Sequence, residues 1–206
     1  MLKRIEIEAK SFQEAERIAI ETLKIQKQKL KLTVLTEKKG IFGIGSSAVY
    51  EATPNVSLAL EGKVYLESIL KTLEVTTRME VRTISDGDEI HYHVESDENA
   101  LLIGREGRTL IAIQFMLRNY LNTFVDGHLI VSLDIGSYHE NRRKQLEILA
   151  TKTAKEVAQT KIAVKLDPMN AFDRRIIHTK LSEWRDVVTE SEGEGEERAL
   201  VIKPKR

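Results

Sequence analysis

The feature that most restricts this chain is a turn. The short apolar run Ala100-Leu101-Leu102-Ile103 ends at Gly104-Arg105-Glu106-Gly107, and an amphipathic helix follows at once. In that helix Leu110, Ile113, Leu117, Leu121 and Phe124 form one stripe. Glycine at both ends of the reversal lets backbone approach phosphate with no Cβ in the way. The second helix points its N–H groups and positive dipole end into the same space. Arg105 and Arg108 add positive charge there. Such a turn can clamp a short single strand of nucleic acid and leave its bases on an adjacent apolar groove. Taken alone, the same pattern also serves simple reversal between two helices.

The surroundings make the turn more specific. Asn55 and Ser57 mark a helix start after Pro54, with apolar positions Leu58, Val64, Ile69, Leu70 and Leu73. Strands are expected around 77–83 and 89–95, and Asp86-Gly87 between them is a hairpin signal. After the turn and its helix, Asp126-Gly127 stops the pattern, and Leu129, Val131, Leu133 and Ile135 alternate as a strand. The order is helix, strand, strand, short helix, turn, helix, strand.

Smaller units flank this module. At the N-terminus Ile5 and Ile7 alternate with charges as a strand, and Ser11 with Glu14 has the spacing of a capping box. The helix it opens carries Phe12, Ala15, Ile18, Ala19 and Leu23, and two strands follow around Leu30–Val34 and Ala48–Thr53. One helix on so small a sheet provides little core, so this unit calls for a partner surface. At the other end a long helix begins near Tyr138, basic at Arg142-Arg143-Lys144 and apolar through Leu146, Leu149, Ala150, Ala154 and Val157. Val164 and Leu166 suggest a short strand, and Pro168 suits the first turn of a helix containing Arg174-Arg175-Ile176-Ile177-His178. A hairpin over 187–189 and 199–202 closes the chain through the acidic SEGEGEE.

Residues 58–135, through LLIGREGRTL and IAIQFMLRNYLN, resemble a K-homology domain of the bacterial type II arrangement. The resemblance implies that Leu102 and Ile103 help form a base-facing groove while Gly104, Arg105, Glu106, Gly107 and Arg108 meet backbone phosphates. Glu106 departs from the commoner basic or neutral residue, and its carboxylate repels phosphate. DPMNAFDRRIIHTKL with TESEGEGEERALVI resembles the C-terminal domain of Jag proteins, and TEKKGIFGIGS resembles their N-terminal signature. That C-terminal domain is of the type named for an arginine, three residues and a histidine. Arg174 and His178 match the naming pair, four apart and on one helix face. With Arg175, Arg142, Arg143 and Lys144 they form a second nucleic-acid patch if the two helices pack with those faces adjacent; without that, such a pair is a solvated face.

The chain is thus identified as similar to the Jag family, also called SpoIIIJ-associated or KhpB proteins. The expected fold is α+β in three small domains, each a small sheet packed by helices. They are residues 1–53, 58–136 and 137–206, the central one of type II K-homology fold. The resemblance implies a single-stranded RNA-binding regulator, with single-stranded DNA as a second ligand, acting on cell elongation or division and in some bacteria sporulation. It also implies a small partner with one K-homology domain, proximity to a YidC-type membrane insertase, and homodimerisation. The family often carries a long charged linker after its first domain. Here only residues near 53–57 separate the two, so linker-borne regulation does not carry over. The alternative is a protein-interaction scaffold whose K-homology fold serves dimerisation.

Composition sets the outer limits. There is no cysteine, which removes disulfides, thiol nucleophiles and thiolate zinc sites and fits a reducing, cytoplasmic setting. The 32 basic and 32 acidic residues cancel, but unevenly: ten against six over residues 1–50, four against ten over 51–97, ten against eight over 98–167. Local basic sites in a neutral chain imply modest, salt-sensitive affinity. KKGIFGIGS reverses the glycine order of a dinucleotide loop and reads as a structural turn or, through Ile41-Phe42, a docking tip. His91 and His93 share a strand face without further ligands, and neither metal, cofactor, small-molecule substrate nor enzymatic activity is expected.

Overall fold

The computed structural model describes residues 1–38, 47–84 and 87–205. The glycine-rich KKGIFGIGS stretch and Asp86 lie outside the described residues, apart from the backbone of Lys38. Two compact units emerge, Met1–Gly136 and Ser137–Arg206. Among the described residues three three-stranded sheets, packed by helices, make the fold α+β.

In the first unit β1 (Ile5–Ala9), α1 (Phe12–Leu23), β2 (Leu30–Lys38) and β3 (Ser47–Pro54) build an antiparallel sheet with β3 central. Ser11 caps α1 by accepting from the Glu14 N–H at 3.2 Å, as its spacing predicts. Glu14, however, reaches back to the Lys10 N–H at 2.9 Å rather than to that of Ser11. Ala15, Ala19 and Leu23 face the sheet, while Phe12 stays half exposed and meets Tyr50 edge-on at 6.1 Å.

The partner surface this sheet needs comes from the next segment of the same unit. Phe124 is buried in the N-terminal core, and Leu58 and Tyr120 pack at its edge. Lys29 donates to Glu61 at 2.5 Å and to Tyr120 at 3.0 Å, and Tyr120 donates to the same carboxylate at 2.9 Å. Tyr120 also stacks on Tyr65 with centroids 4.3 Å apart. Burial lowers the Lys29 pKa, but its bonds to Glu61 and Tyr120 outweigh that and leave it raised. Backbone bonds Lys3 N–H to Phe124 and Asp126 N–H to Met1 complete the seam.

The rest of the unit is α2 (Leu58–Thr72), β4 (Thr77–Ile84), β5 (Glu89–Ser96), α3 (Asn99–Ile103), α4 (Arg108–Asn122) and β6 (Ile130–Ile135). Strand β5 is central, antiparallel to β4 and parallel to β6. Ile90, Tyr92 and Val94 of β5 point inward with Val131, Leu133 and Ile135 of β6, under the buried stripe of α4. Helix α2 approaches so closely that a Cβ on Gly62 would stand 2.0 Å from the Tyr92 hydroxyl. That hydroxyl donates to the carbonyls of Leu58 and Ala59 at 3.3 and 3.2 Å, and burial pushes its pKa up.

The second unit comprises α5 (Tyr138–Thr160), β7 (Val164–Lys165), α6 (Ala171–Leu181), β8 (Val187–Glu192) and β9 (Ala199–Pro204). Strand β9 lies between β7 and β8, antiparallel to both. Helix α6 starts at Ala171, capped by Asn170 accepting the Asp173 N–H at 2.9 Å, so Pro168 precedes the helix instead of entering it. An Asn cap satisfies an end N–H that proline cannot. Leu146, Ala150, Ala154 and Val157 of α5 meet Ile177 and Leu181 of α6 over Leu200 and Ile202.

The close approach of Gly62 to Tyr92 sets two expected outcomes. Alanine is favoured over glycine in a helix by about 1 kcal/mol, whereas overpacking costs about 1–3 kcal/mol. At 2.0 Å the clash wins, so Gly62→Ala lowers stability by about 1–2 kcal/mol, seen as a lower midpoint in urea. The Tyr92 hydroxyl ionises near pH 10.0 in the unfolded chain and higher in the folded one. Its contribution is therefore full below about pH 10 and is lost as pH rises from there through the folded value. Tyr92→Phe should flatten that alkaline loss in unfolding curves across pH.

Candidate nucleic-acid interface

The turn after α3 is built by its backbone. Gly104 adopts φ 70°, ψ −177°, a region open to glycine alone, and a Cβ there would stand 2.1 Å from Thr109 Oγ1. Glu106 and Gly107 are both left-handed, at φ 54° and 78°. Holding glutamate there costs about 1–2 kcal/mol. No side chain caps α4, its Arg108 N–H donates to the Arg105 carbonyl, and the positive dipole end of the helix lies beside the turn. Arg105 and Arg108 are exposed on either side, and Glu106 is half-buried between them. The local charge is +1, from two arginines and one glutamate.

Leu102 corrects the expected groove. It is 0% exposed, packed inward where α3 lies on α4 and β6, because a five-residue helix buries its one inward side chain. Leu101 is 54% exposed instead, and Ile103 is half-buried, so these two form the apolar margin of the turn. A run of four apolar residues does not reveal which of them faces in.

The outer face of the β4–β5–β6 sheet also differs from expectation. His91 and His93 do have carboxylate company: His91 Nε2 lies 2.7 Å from Glu89, and His93 Nε2 lies 3.0 Å from Glu95. His91 Nδ1 meets Ser132 Oγ at 2.7 Å, and Asp134 stands 3.8 Å from His93. Residues two apart on a strand share a face, so each acid lies next to its histidine. Among the described residues no group of three or more such side chains is gathered to hold a metal.

In the second unit α5 and α6 do pack together, yet the six basic and histidine residues do not merge into one patch. Arg174 and His178 share a flank of α6. Arg174 donates to the Met169 carbonyl at 2.7 Å, and His178 Nδ1 lies 2.5 Å from Thr189 Oγ1 on β8. Arg175, one position on, is exposed and has no partner among the described residues. Arg142 is half-buried and committed to a partner: its Nε and Nη2 donate to Asp173 at 3.0 and 2.9 Å, and that residue is 3% exposed. Arg143 pairs with Glu147 and Lys144 with Glu140, both on the surface. Successive helical residues diverge by about 100°, so three consecutive cations cannot face one ligand. The Arg143 guanidinium holds the Glu147 carboxyl below its usual range, and Lys144 does the same for Glu140.

Matches to known proteins agree with this layout. The family of the R-3-H domain, named for the Arg-x-x-x-His pair, matches residues 144–204, and one described as the Jag N-terminus matches residues 7–54. The chain is 31% identical over 204 residues to the RNA-binding protein KhpB of Clostridium symbiosum, covering 98% of this chain and 92% of that one. With the RNA-binding protein KhpB of Bacillus subtilis strain 168 identity is 30% over 210 residues, spanning both chains in full. The RNA-binding protein KhpB of Lactiplantibacillus plantarum is 37% identical over 138 residues, 67% of this chain and 42% of that one. The architecture is that of Jag-type proteins, with an N-terminal sheet, a Gly-x-x-Gly module and an Arg-x-x-x-His unit in succession. The chain belongs to the KhpB family.

Breaking a buried ion pair by removing one partner costs about 3–5 kcal/mol. Arg142→Ala, which strands the Asp173 carboxylate, should therefore destabilise the second unit by about 3 kcal/mol. Arg143→Ala, on the exposed surface, should change stability little. Thermal unfolding of the two variants checks the contrast.

Proposed function

We propose that this protein is a regulator that binds single-stranded RNA through both of its units. The observation that carries the reading is the uncapped start of α4 behind the glycine turn, flanked by Arg105 and Arg108, in a chain whose full-length relatives are named RNA-binding proteins. Gly104, Arg105, Gly107 and Arg108 would meet backbone phosphates, with Leu101 and Ile103 beside the bases. Glu106 weakens that grip, so Arg174 and His178, on one flank of α6 in the second unit, would supply a second one, while Arg175, Arg143 and Lys144 lie on other faces. We keep the division into domains at residues 1–53, 58–136 and 137–206 as part of this proposal.

The family resemblance extends the proposal to control of cell elongation or division and sporulation. It extends also to a small partner with one K-homology domain, a YidC-type insertase nearby, and a cytoplasmic, non-enzymatic role. No helix among the described residues is long and apolar enough to cross a membrane.

One observation favours a second reading, an interaction scaffold. Ile111 and Phe115, 49% and 55% exposed, form an apolar flank on α4 with Met116 beside them. Light scattering of wild type and Phe115→Ser tests it: a dimer lost on substitution supports the scaffold, and a monomer in both cases removes it.

The RNA reading is tested by changing Arg105 and Glu106 together to Asp and measuring binding to short RNAs over a range of salt. Affinity should fall about tenfold or more, and the slope of log K against log salt should drop by about 1. Unchanged affinity and slope would remove the turn from the interface. Arg174→Ala with His178→Ala tests the second grip in the same assay.

A further inference from the structure

Helix α6 presents a second face that the Arg174–His178 pair does not use. Phe172, Arg175 and Thr179 follow one another at helical spacing on another side of α6, centred roughly 110° round from that pair. With Arg143 of α5 and with Trp184 beyond the end of α6, they line a groove of about 940 Å³. Phe172 is 62% exposed although aromatic. Trp184 rests partly on the unit's core, and its indole N–H has no partner among the described residues.

The charges of the groove suit a polyanion. Arg143, Arg175 and Lys180 face Glu147 and Glu183, which leaves one positive charge in excess. Arg175 is unpaired among the described residues, while Arg143 and Lys180 share only the half-buried Glu147 at 3.0 and 3.5 Å. Surface pairs of this kind contribute little and exchange readily for phosphate. The groove continues past Glu147 and Lys180 onto a shelf of α5 carrying Lys144, Lys152 and Lys155. Aromatic rings at the two ends of the groove, Phe172 at the start of α6 and Trp184 beyond its end, and a lysine track leading away along α5 are the two elements of a site for single-stranded nucleic acid.

We infer that this α5–α6 groove is a base-stacking site for single-stranded RNA, separate from the Arg174–His178 flank. Bases stack on Phe172 and Trp184, Arg175 and Lys180 contact the flanking phosphates, and the strand continues along the α5 lysines. The inference rests on the RNA reading above and adds to it where on the second unit the strand runs.

Trp184 is the only tryptophan, so its emission reports on the groove alone. The full chain is titrated with an adenylate oligomer of about 12 nucleotides, within the usual site sizes, while anisotropy of a dye on the RNA follows binding independently. The expected result is quenching of Trp184 in step with binding. Phe172→Ala and Arg175→Ala, both surface changes, should each weaken binding about tenfold with the circular dichroism spectrum unchanged. Quenching should persist in the Arg174→Ala, His178→Ala double variant. Binding without quenching, or undiminished in Phe172→Ala with Arg175→Ala, overturns the groove and leaves the RNA reading intact. No binding by wild type at all overturns both.

Discussion

A three-stranded sheet with one covering helix buries too little apolar surface to stand securely alone. All three sheets among the described residues have three strands, and the rest of the structure follows from how each completes its core. The N-terminal sheet does so with Phe124, from the segment just beyond α4. Burying such a side chain is worth about 1.5–3 kcal/mol. The Lys29–Glu61–Tyr120 triangle sits over the same ring, with the Lys29 ammonium 5.7 Å from the centroids of both Tyr120 and Phe124. The N-terminal sheet is thereby tied to the helix whose other end carries the glycine turn.

That arrangement explains how a chain with no net charge can present basic sites. Structural cations are consumed inside: Lys29 by Glu61, Arg142 by the buried Asp173. The cations left for a ligand are those that packing cannot reach, such as Arg105 on its turn and Arg175 on the outer side of α6. Surface pairs such as Arg143–Glu147 fall between, weak enough to be exchanged for a phosphate.

Much of the fold is legible in the sequence, because periodicity and punctuation are local. The buried stripe of α4, the alternation in β6 and the Ser11 cap all appear where spacing places them. Of the candidate sites, the glycines of the turn and the shared flank of Arg174 and His178 were equally readable. Leu102 was not, because four successive apolar residues have no phase of their own. Arg142 was not, because its partner Asp173 lies 31 residues away and nothing between them signals the pairing. The carboxylates beside His91 and His93 were visible in spacing, yet the Ser132 hydroxyl that joins His91 comes from another strand.

By itself the sequence determined the order of elements, the family, and the position of the glycine turn, since glycine and helical periodicity act within a few residues of chain. Only the tertiary structure decided which cations remain available. Burial and long-range pairing select among chemically identical side chains, tying Arg142 to the buried Asp173 and leaving Arg175 in solvent three positions along α6 from Phe172. They also turn Trp184 from a lone aromatic into the wall of a charged groove.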